Sequence, residues 1–153
     1  MAHIRVVDRY EVPVERIYEL ALDWKRYPEW NVTYPEVKEV IGPVDKVGTK
    51  VHVTTRFLGR QFDVWGEIVE IEPLRMVKLA GTGPEGSYTT ITYRWTPVEG
   101  GTECVIEADY QLPAGLFGQI ADKLFIEKAV ERDIRHSIEN FKALLEAKVP
   151  VLR

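Results

Sequence analysis

Between residues 130 and 145, Val130, Ile134, Ile138, Phe141 and Leu145 recur at i, i+4, i+8, i+11 and i+15. They fall within about 80° of arc on a helical wheel, the stripe of a helix with one buried face. Arg132, Arg135, His136, Glu139 and Lys142 lie opposite, and the pattern stops at Lys148-Val149-Pro150, where a helix ends. Upstream, Phe117, Ile120 and Leu124 follow a different phase, which predicts a separate short helix over Leu116–Phe125, a bend near Phe125–Glu127 and a main helix of about five turns. Size agrees, because a straight helix over Leu116–Ala147 would be about 48 Å long, and a globule of this length is only about 38 Å across.

At the other end, His3 to Val12 alternates as a strand does, and Pro13 opens a helix carrying Val14, Ile17, Tyr18 and Ala21 on one side. The aromatic stretch Trp24–Asn31 holds Pro28, which limits it to about one helical turn. From Glu36 to Leu112 helical periodicity gives way to six β-segments. Turn chemistry divides them at Gly42–Gly48, Gly59-Arg60, Glu72-Pro73, Gly81–Gly86 and Pro97–Gly101. The predicted order is strand, two short helices, six strands, long helix. It describes an α+β domain in which a seven-stranded curved antiparallel sheet wraps a long C-terminal helix.

A hairpin with Gly59-Arg60 as its loop pairs Phe57 with Phe62, Arg56 with Asp63, Val53 with Gly66 and His52 with Glu67. Charged residues then share the outer face, while Val51, Val53, Thr55, Phe57, Phe62, Val64 and Ile68 turn inward. The later strands sort the same way. Ile91, Tyr93, Trp95, Cys104, Ile106, Ala108 and Tyr110 alternate with polar neighbours. One helix cannot fill the concavity of a twisted sheet this long, and Thr55, Tyr93, Tyr110 and Ser137 add hydrogen-bonding groups to its apolar lining. Two readings of that lining stand side by side, a small-molecule pocket and a fully packed core.

The 153 residues, 45% of them hydrophobic, suit one domain. Cys104 is the single cysteine and can form no disulfide within the chain, which fits a reducing compartment and a cytoplasmic protein. No run approaches a membrane span, no signal peptide precedes the first strand, and a net charge of −4 with interspersed signs gives no footprint for nucleic acid. The three histidines lack metal-ligand spacing, and no phosphate-binding or dinucleotide fingerprint is present, so no metal or cofactor is expected. Catalytic candidates are few. A one-residue slip of the hairpin would bring His52, Arg56 and Asp63 into the cavity, although it would also expel Phe57 and Phe62. Glu70 turns inward by strict alternation unless a bulge precedes Pro73, and Glu131 lies at the edge of the helix stripe. Trp65 falls on the outer face, where a homodimer or another protein would cover it.

The element order and four segments carry a family resemblance. These are Val12-Pro13-Val14-Glu15-Arg16-Ile17-Tyr18 running into Asp23-Trp24, then Tyr27-Pro28-Glu29-Trp30, Glu70-Ile71-Glu72-Pro73 and Gly100-Gly101-Thr102. Over nearly its full length the chain resembles the START-like (SRPBCC) helix-grip superfamily, in particular its polyketide cyclase/dehydrase and lipid-transport branch, alongside the coenzyme Q-binding proteins. The resemblance implies a hydrophobic cavity walled by Phe57, Phe62, Tyr93, Trp95, Tyr110, Ile134, Ile138 and Phe141, with Trp30 near its mouth and the Gly42–Gly48 and Gly81–Gly86 loops at the entrance. Val53, Thr55 and Val64 join the expected ligand-binding set from their inward facing. The function expected is non-covalent binding or transport of a lipid, quinone, sterol or polyketide-like molecule. An aromatase/cyclase activity and an interaction module on the convex face are the alternatives, since fold analogy alone does not supply chemistry.

Overall fold

Turn chemistry cuts the middle of the chain as the sequence pattern requires. The computed structural model describes residues 2–119 and 122–147. Strand β1 (Ala2–Tyr10) is followed by α1 (Val14–Ala21), a single 3-10 turn (Trp24–Arg26) and α2 (Tyr27–Trp30). Strands β2 (Glu36–Ile41), β3 (Lys50–Phe57), β4 (Arg60–Glu72), β5 (Met76–Thr82), β6 (Tyr88–Val98) and β7 (Gly101–Gln111) follow, then α3 (Ala114–Gln119) and α4 (Lys123–Ala147). The seven strands form one antiparallel sheet in the order β1-β7-β6-β5-β4-β3-β2. Helices α1 and α2 carry the crossover from one edge strand to the other.

The β3–β4 hairpin differs from the expected register by two residues. Its loop is Leu58-Gly59, both at positive φ, and the pairs are Phe57 with Arg60, Thr55 with Phe62, Val53 with Val64 and His52 with Trp65. Two consecutive left-handed residues suit the twist of a tight hairpin, and the glycine signal could not show that the loop takes Leu58 rather than Arg60. Because the shift is even, every side chain keeps its predicted face. Arg56 and Asp63 are exposed on the convex side, so the slipped register that would place them in the cavity does not occur. A β-bulge between Ile68 and Glu70 turns Glu70 outward.

Helix α4 is continuous from Lys123 and passes through Phe125–Glu127, where the phase change predicted a bend. Its 25 residues span about 37 Å, against the five turns expected. The change of apolar phase is genuine but is resolved by exposure. Leu124 and Phe125 are 58% and 52% exposed, while Ile126 and Ala129 extend the buried stripe. The short upstream helix lies earlier than expected, at Ala114–Gln119. Ile120 and the expected stop at Lys148-Val149-Pro150 lie outside the described residues.

Two core clusters meet the helix. One gathers Tyr10, Ile17, Trp24, Trp30, Trp95, Phe141 and Leu145 beneath α1 and α2. The smaller one packs Phe57, Tyr110 and Leu116 against Ile126 and Ala129. The Gly100-Gly101-Thr102 segment serves the first cluster's end of the sheet. A Cβ on Gly101 would lie 2.1 Å from the Tyr10 carbonyl oxygen, and the fully buried Thr102 donates its hydroxyl to the Val12 carbonyl at 2.9 Å. In the same region burial pushes the Cys104 thiol up to about 12, and burial first, then the neighbouring Cys104, raises the Tyr10 phenol.

Gly101→Ala is expected to lower unfolding free energy by about 3 kcal/mol or more, because backbone has to move, read as a lower urea midpoint at unchanged slope. The raised Cys104 pKa sets a pH window. Its contribution is complete below the ordinary thiol value of 9.0 and is lost as pH rises through about 12. Unfolding free energy measured from pH 8 to 11 therefore falls, less steeply in Cys104→Ala, and iodoacetamide labels the thiol only after urea unfolding.

Candidate functional site

Alternation along four strands and one helical stripe converge on a cavity of about 160 Å³ between the concave face of the sheet and α4. Thr55 and Phe57 enter its wall from β3, Phe62 and Val64 from β4, Tyr93 and Trp95 from β6, and Tyr110 from β7. Helix α2 supplies Trp30, and α4 supplies Ile134, Ile138 and Phe141. Val53 shares their face but lines an adjoining chamber of about 50 Å³, which has Tyr34, Val64, Gly81, Thr89 and Ile91 in common with the larger one.

Wall residues that stay partly exposed, among them Thr33, Phe62, Gly83, Gln111 and Ile134, mark the rim. From the Gly81–Gly86 loop, the buried Gly81 and the partly exposed Gly83 belong to the wall. The Gly42–Gly48 loop does not. Strand β3 carries it to the sheet end opposite Leu58-Gly59, where its Val44 carbonyl accepts a hydrogen bond from Trp24 Nε1 at 2.9 Å. Trp30 is likewise buried and not at the mouth, packed edge-on against Phe141 and Tyr27 with centroids 4.8 and 4.9 Å away. At the rim, Glu85 receives both Arg60 guanidinium nitrogens at 3.0 Å and the Gly115 amide at 2.9 Å, joining the β3–β4 hairpin, the β5–β6 turn and α3. Arg60 first and the Gly115 amide second hold the Glu85 carboxyl below its ordinary value.

The polar groups of the wall are mostly neutral donors. Burial raises the Tyr93 phenol, which lies 3.4 Å from the Tyr27 hydroxyl, and burial also raises Tyr34 and Tyr110. Ser137 accepts the Val32 amide at 3.0 Å. Three buried side-chain atoms have no partner among the described residues: Trp30 Nε1, Thr55 Oγ1 and Ser87 Oγ. All three belong to residues of the cavity wall. Asp133 is the carboxylate among the described wall residues, and it accepts from Arg132 at 3.2 Å.

Ser87 and Asp133 escaped the sequence reading, though their positions were legible. Counting back by twos from Tyr93 through Ile91 and Thr89 reaches Ser87, but the two-glycine turn beside it read as loop. Asp133 sits at helical spacing from Val130 and Ser137, but a charged residue does not announce itself on an apolar stripe. The other ionisable candidates face outward. His52 stacks on Trp65 at 4.4 Å, with Nε2 3.3 Å from Asp63, whose carboxyl Lys38 chiefly holds low. Trp65 remains 40% exposed on the convex face. Glu131 pairs with Arg135, and His3 with Asp109. Among the described residues no cluster of His, Cys, Asp and Glu is arranged to hold a metal ion, and no helix is long and apolar enough to cross a membrane.

Known structures share this arrangement. The Zhui aromatase/cyclase from Streptomyces sp. R1128 superposes with a TM-score of 0.79 at 15% identity, covering 98% of this chain and 96% of that one. The protein TTHA0849 from Thermus thermophilus gives 0.79 at 20% identity, over 97% and 100%. A conserved protein from Geobacillus kaustophilus gives 0.80 at 11% identity, over 95% and 96%. No curated protein sequence matches significantly. At these identities the superpositions establish the fold alone, but the family model for polyketide cyclase / dehydrase and lipid transport matches residues 1–146. The chain therefore belongs to the polyketide cyclase / dehydrase and lipid transport family.

Proposed function

We propose that the protein binds a hydrophobic small molecule non-covalently in the cavity between the sheet and α4, and releases it unchanged. The observation that carries this reading is the chamber itself, of about 160 Å³ and walled mainly by aromatic and aliphatic side chains. A cavity of about 150 Å³ with such walls admits one benzene ring. A compact ring system fits better than a sterol, which would have to force the walls apart. Burying about 300 Å² of apolar ligand surface releases on the order of 7 kcal/mol before the cost of immobilisation, enough for micromolar binding without an ion pair.

The chemistry of the wall supports binding over turnover. Burial raises Tyr10, Tyr34, Tyr93, Tyr110 and Cys104 in that wall, so they stay protonated near neutrality and can donate hydrogen bonds but cannot act as bases. A cyclase-type reaction is the second reading, favoured by Asp133, whose side chain is 17% exposed at the wall and would have to leave Arg132 to accept a proton.

Native mass spectrometry of freshly purified protein is expected to show a non-covalent adduct, and fragmentation is expected to identify an aromatic molecule. Recovery of that molecule unaltered after incubation supports carriage. A product whose formation stops in Asp133→Asn supports the cyclase. Ile134→Trp, which adds bulk at a wall position that is only partly buried, is expected to abolish the adduct with little change in melting temperature. A fall of more than about 10 °C would show that no free volume exists there.

A further inference from the structure

Hydrogen bonds from the β3–β4 hairpin, the end of β7 and the start of α3 converge on the tip of the β5–β6 turn. The Glu85 carboxylate accepts both Arg60 guanidinium nitrogens at 3.0 Å and the Gly115 amide at 2.9 Å. Its backbone carbonyl accepts the Ala114 amide, and the Gly86 carbonyl accepts Gln111 Nε2, each at 3.2 Å. Gly115 leaves room for this clasp, since a Cβ there would lie 3.0 Å from Glu85 Oε1 and 3.2 Å from Arg60 Nη1. Glu85 itself holds a left-handed backbone, at φ 56°, which a residue other than glycine keeps only under constraint from its surroundings.

The segments tied together are those that frame the chamber's mouth. Phe62 and Gly83 each stand two residues from a clasp partner, Arg60 and Glu85, and Gln111 is itself one; all three belong to the rim. Deeper in, the wall is shut by sheet ladders and by buried side chains such as Trp30, Trp95, Ile138 and Phe141, whose parting would expose apolar surface. The clasp differs, because its Arg60 and Glu85 side chains are 30% and 44% exposed and water can replace their hydrogen bonds at little net loss. Parting them also frees Glu85 from its strained φ, and Gly83 and Gly86 on either side can take up the backbone rotation. We infer that this clasp gates the chamber, an inference that rests on the binding reading above. Ligand passes as the β5–β6 turn parts from Arg60 and α3, so the ion pair sets the rate of exchange and not the affinity. Exchange is therefore sensitive to ionic strength even for an uncharged ligand, because salt screens an exposed pair.

Fluorobenzene, an uncharged ring of the size the chamber admits, tests the gate. Fluorine exchange NMR gives its exit rate, and a titration gives its dissociation constant. Glu85→Gln and Arg60→Met break the pair from either side, and each suffices should the other fail to fold. Arg26→Met is the control, since it breaks an exposed pair with Glu29 that lies within one short stretch of chain. At about 0.02 M NaCl both clasp variants are expected to release and take up fluorobenzene about three- to fivefold faster than the wild type at an unchanged dissociation constant, the factor an exposed ion pair is worth. Arg26→Met is expected to match the wild type, and about 0.5 M NaCl to close most of the gap between the wild type and the clasp variants. Equal exchange rates in the wild type and the clasp variants overturn the gate and leave the binding reading standing. So does a faster exit matched by weaker binding, which would make the pair a support of the bound state. A gap that survives high salt, or an equal acceleration in Arg26→Met, also overturns the gate. If fluorobenzene does not bind the wild type, the binding reading and the gate fail together.

Discussion

A seven-stranded sheet with strands about 4.8 Å apart offers an apolar face about 29 Å wide, whereas a helix with its side chains is about 10 Å across. A single helix cannot cover that face, and the sheet must curl for the two to fit. Helices α1 and α2 with the 3-10 turn between them fill one end through Ile17, Trp30 and Trp24, and the smaller cluster of Phe57, Tyr110, Leu116 and Ile126 fills the other. The chamber between them follows from the mismatch in width. Its presence is a property of the architecture, and its chemistry is a property of the side chains the architecture brings there.

Those side chains divide into two kinds. Most of the wall is apolar or already hydrogen-bonded and would serve equally well in an ordinary core. The Thr102 hydroxyl on the Val12 carbonyl and the Ser137 hydroxyl on the Val32 amide show how this chain satisfies a buried polar group when stability is the purpose. The N–H of Trp30 and the hydroxyls of Thr55 and Ser87, in three residues of the cavity wall, have no such partner among the described residues.

Much of the fold could be read from periodicity. The inner face of β3, β4, β6 and β7 was legible because one face is dry and the other wet, and the two-residue error at Leu58-Gly59 left it intact. Residues flanking a turn glycine carry no comparable signal, and a leucine at positive φ is not announced by its chemistry. The start of α4 was misplaced for a different reason. Leu124 and Phe125 are apolar but exposed, and a rule that equates apolar with buried demands a bend there. Most of the expected wall residues lie at the cavity because alternation and helical phase fix direction. Ser87, which flanks a turn, and Asp133, which is charged, required knowledge of which neighbours they would meet. The Gly42–Gly48 loop resembled the Gly81–Gly86 loop in composition, and only strand direction separates the two ends of the sheet they serve.

Strand order also governs how the molecule is assembled. The first strand finds its sheet neighbour in the last, with Ala2 opposite Tyr110 and Tyr10 opposite Thr102. During synthesis β1 therefore waits, unpaired, until most of the chain has emerged, while β2 to β7 can zip successively through short hairpins. Closing so long a loop comes with a large entropy loss before any contact rewards it, and such topologies fold slowly. The polar positions Arg5 and Arg9, exposed along β1, give that waiting strand a charged margin that disfavours pairing with the wrong chain.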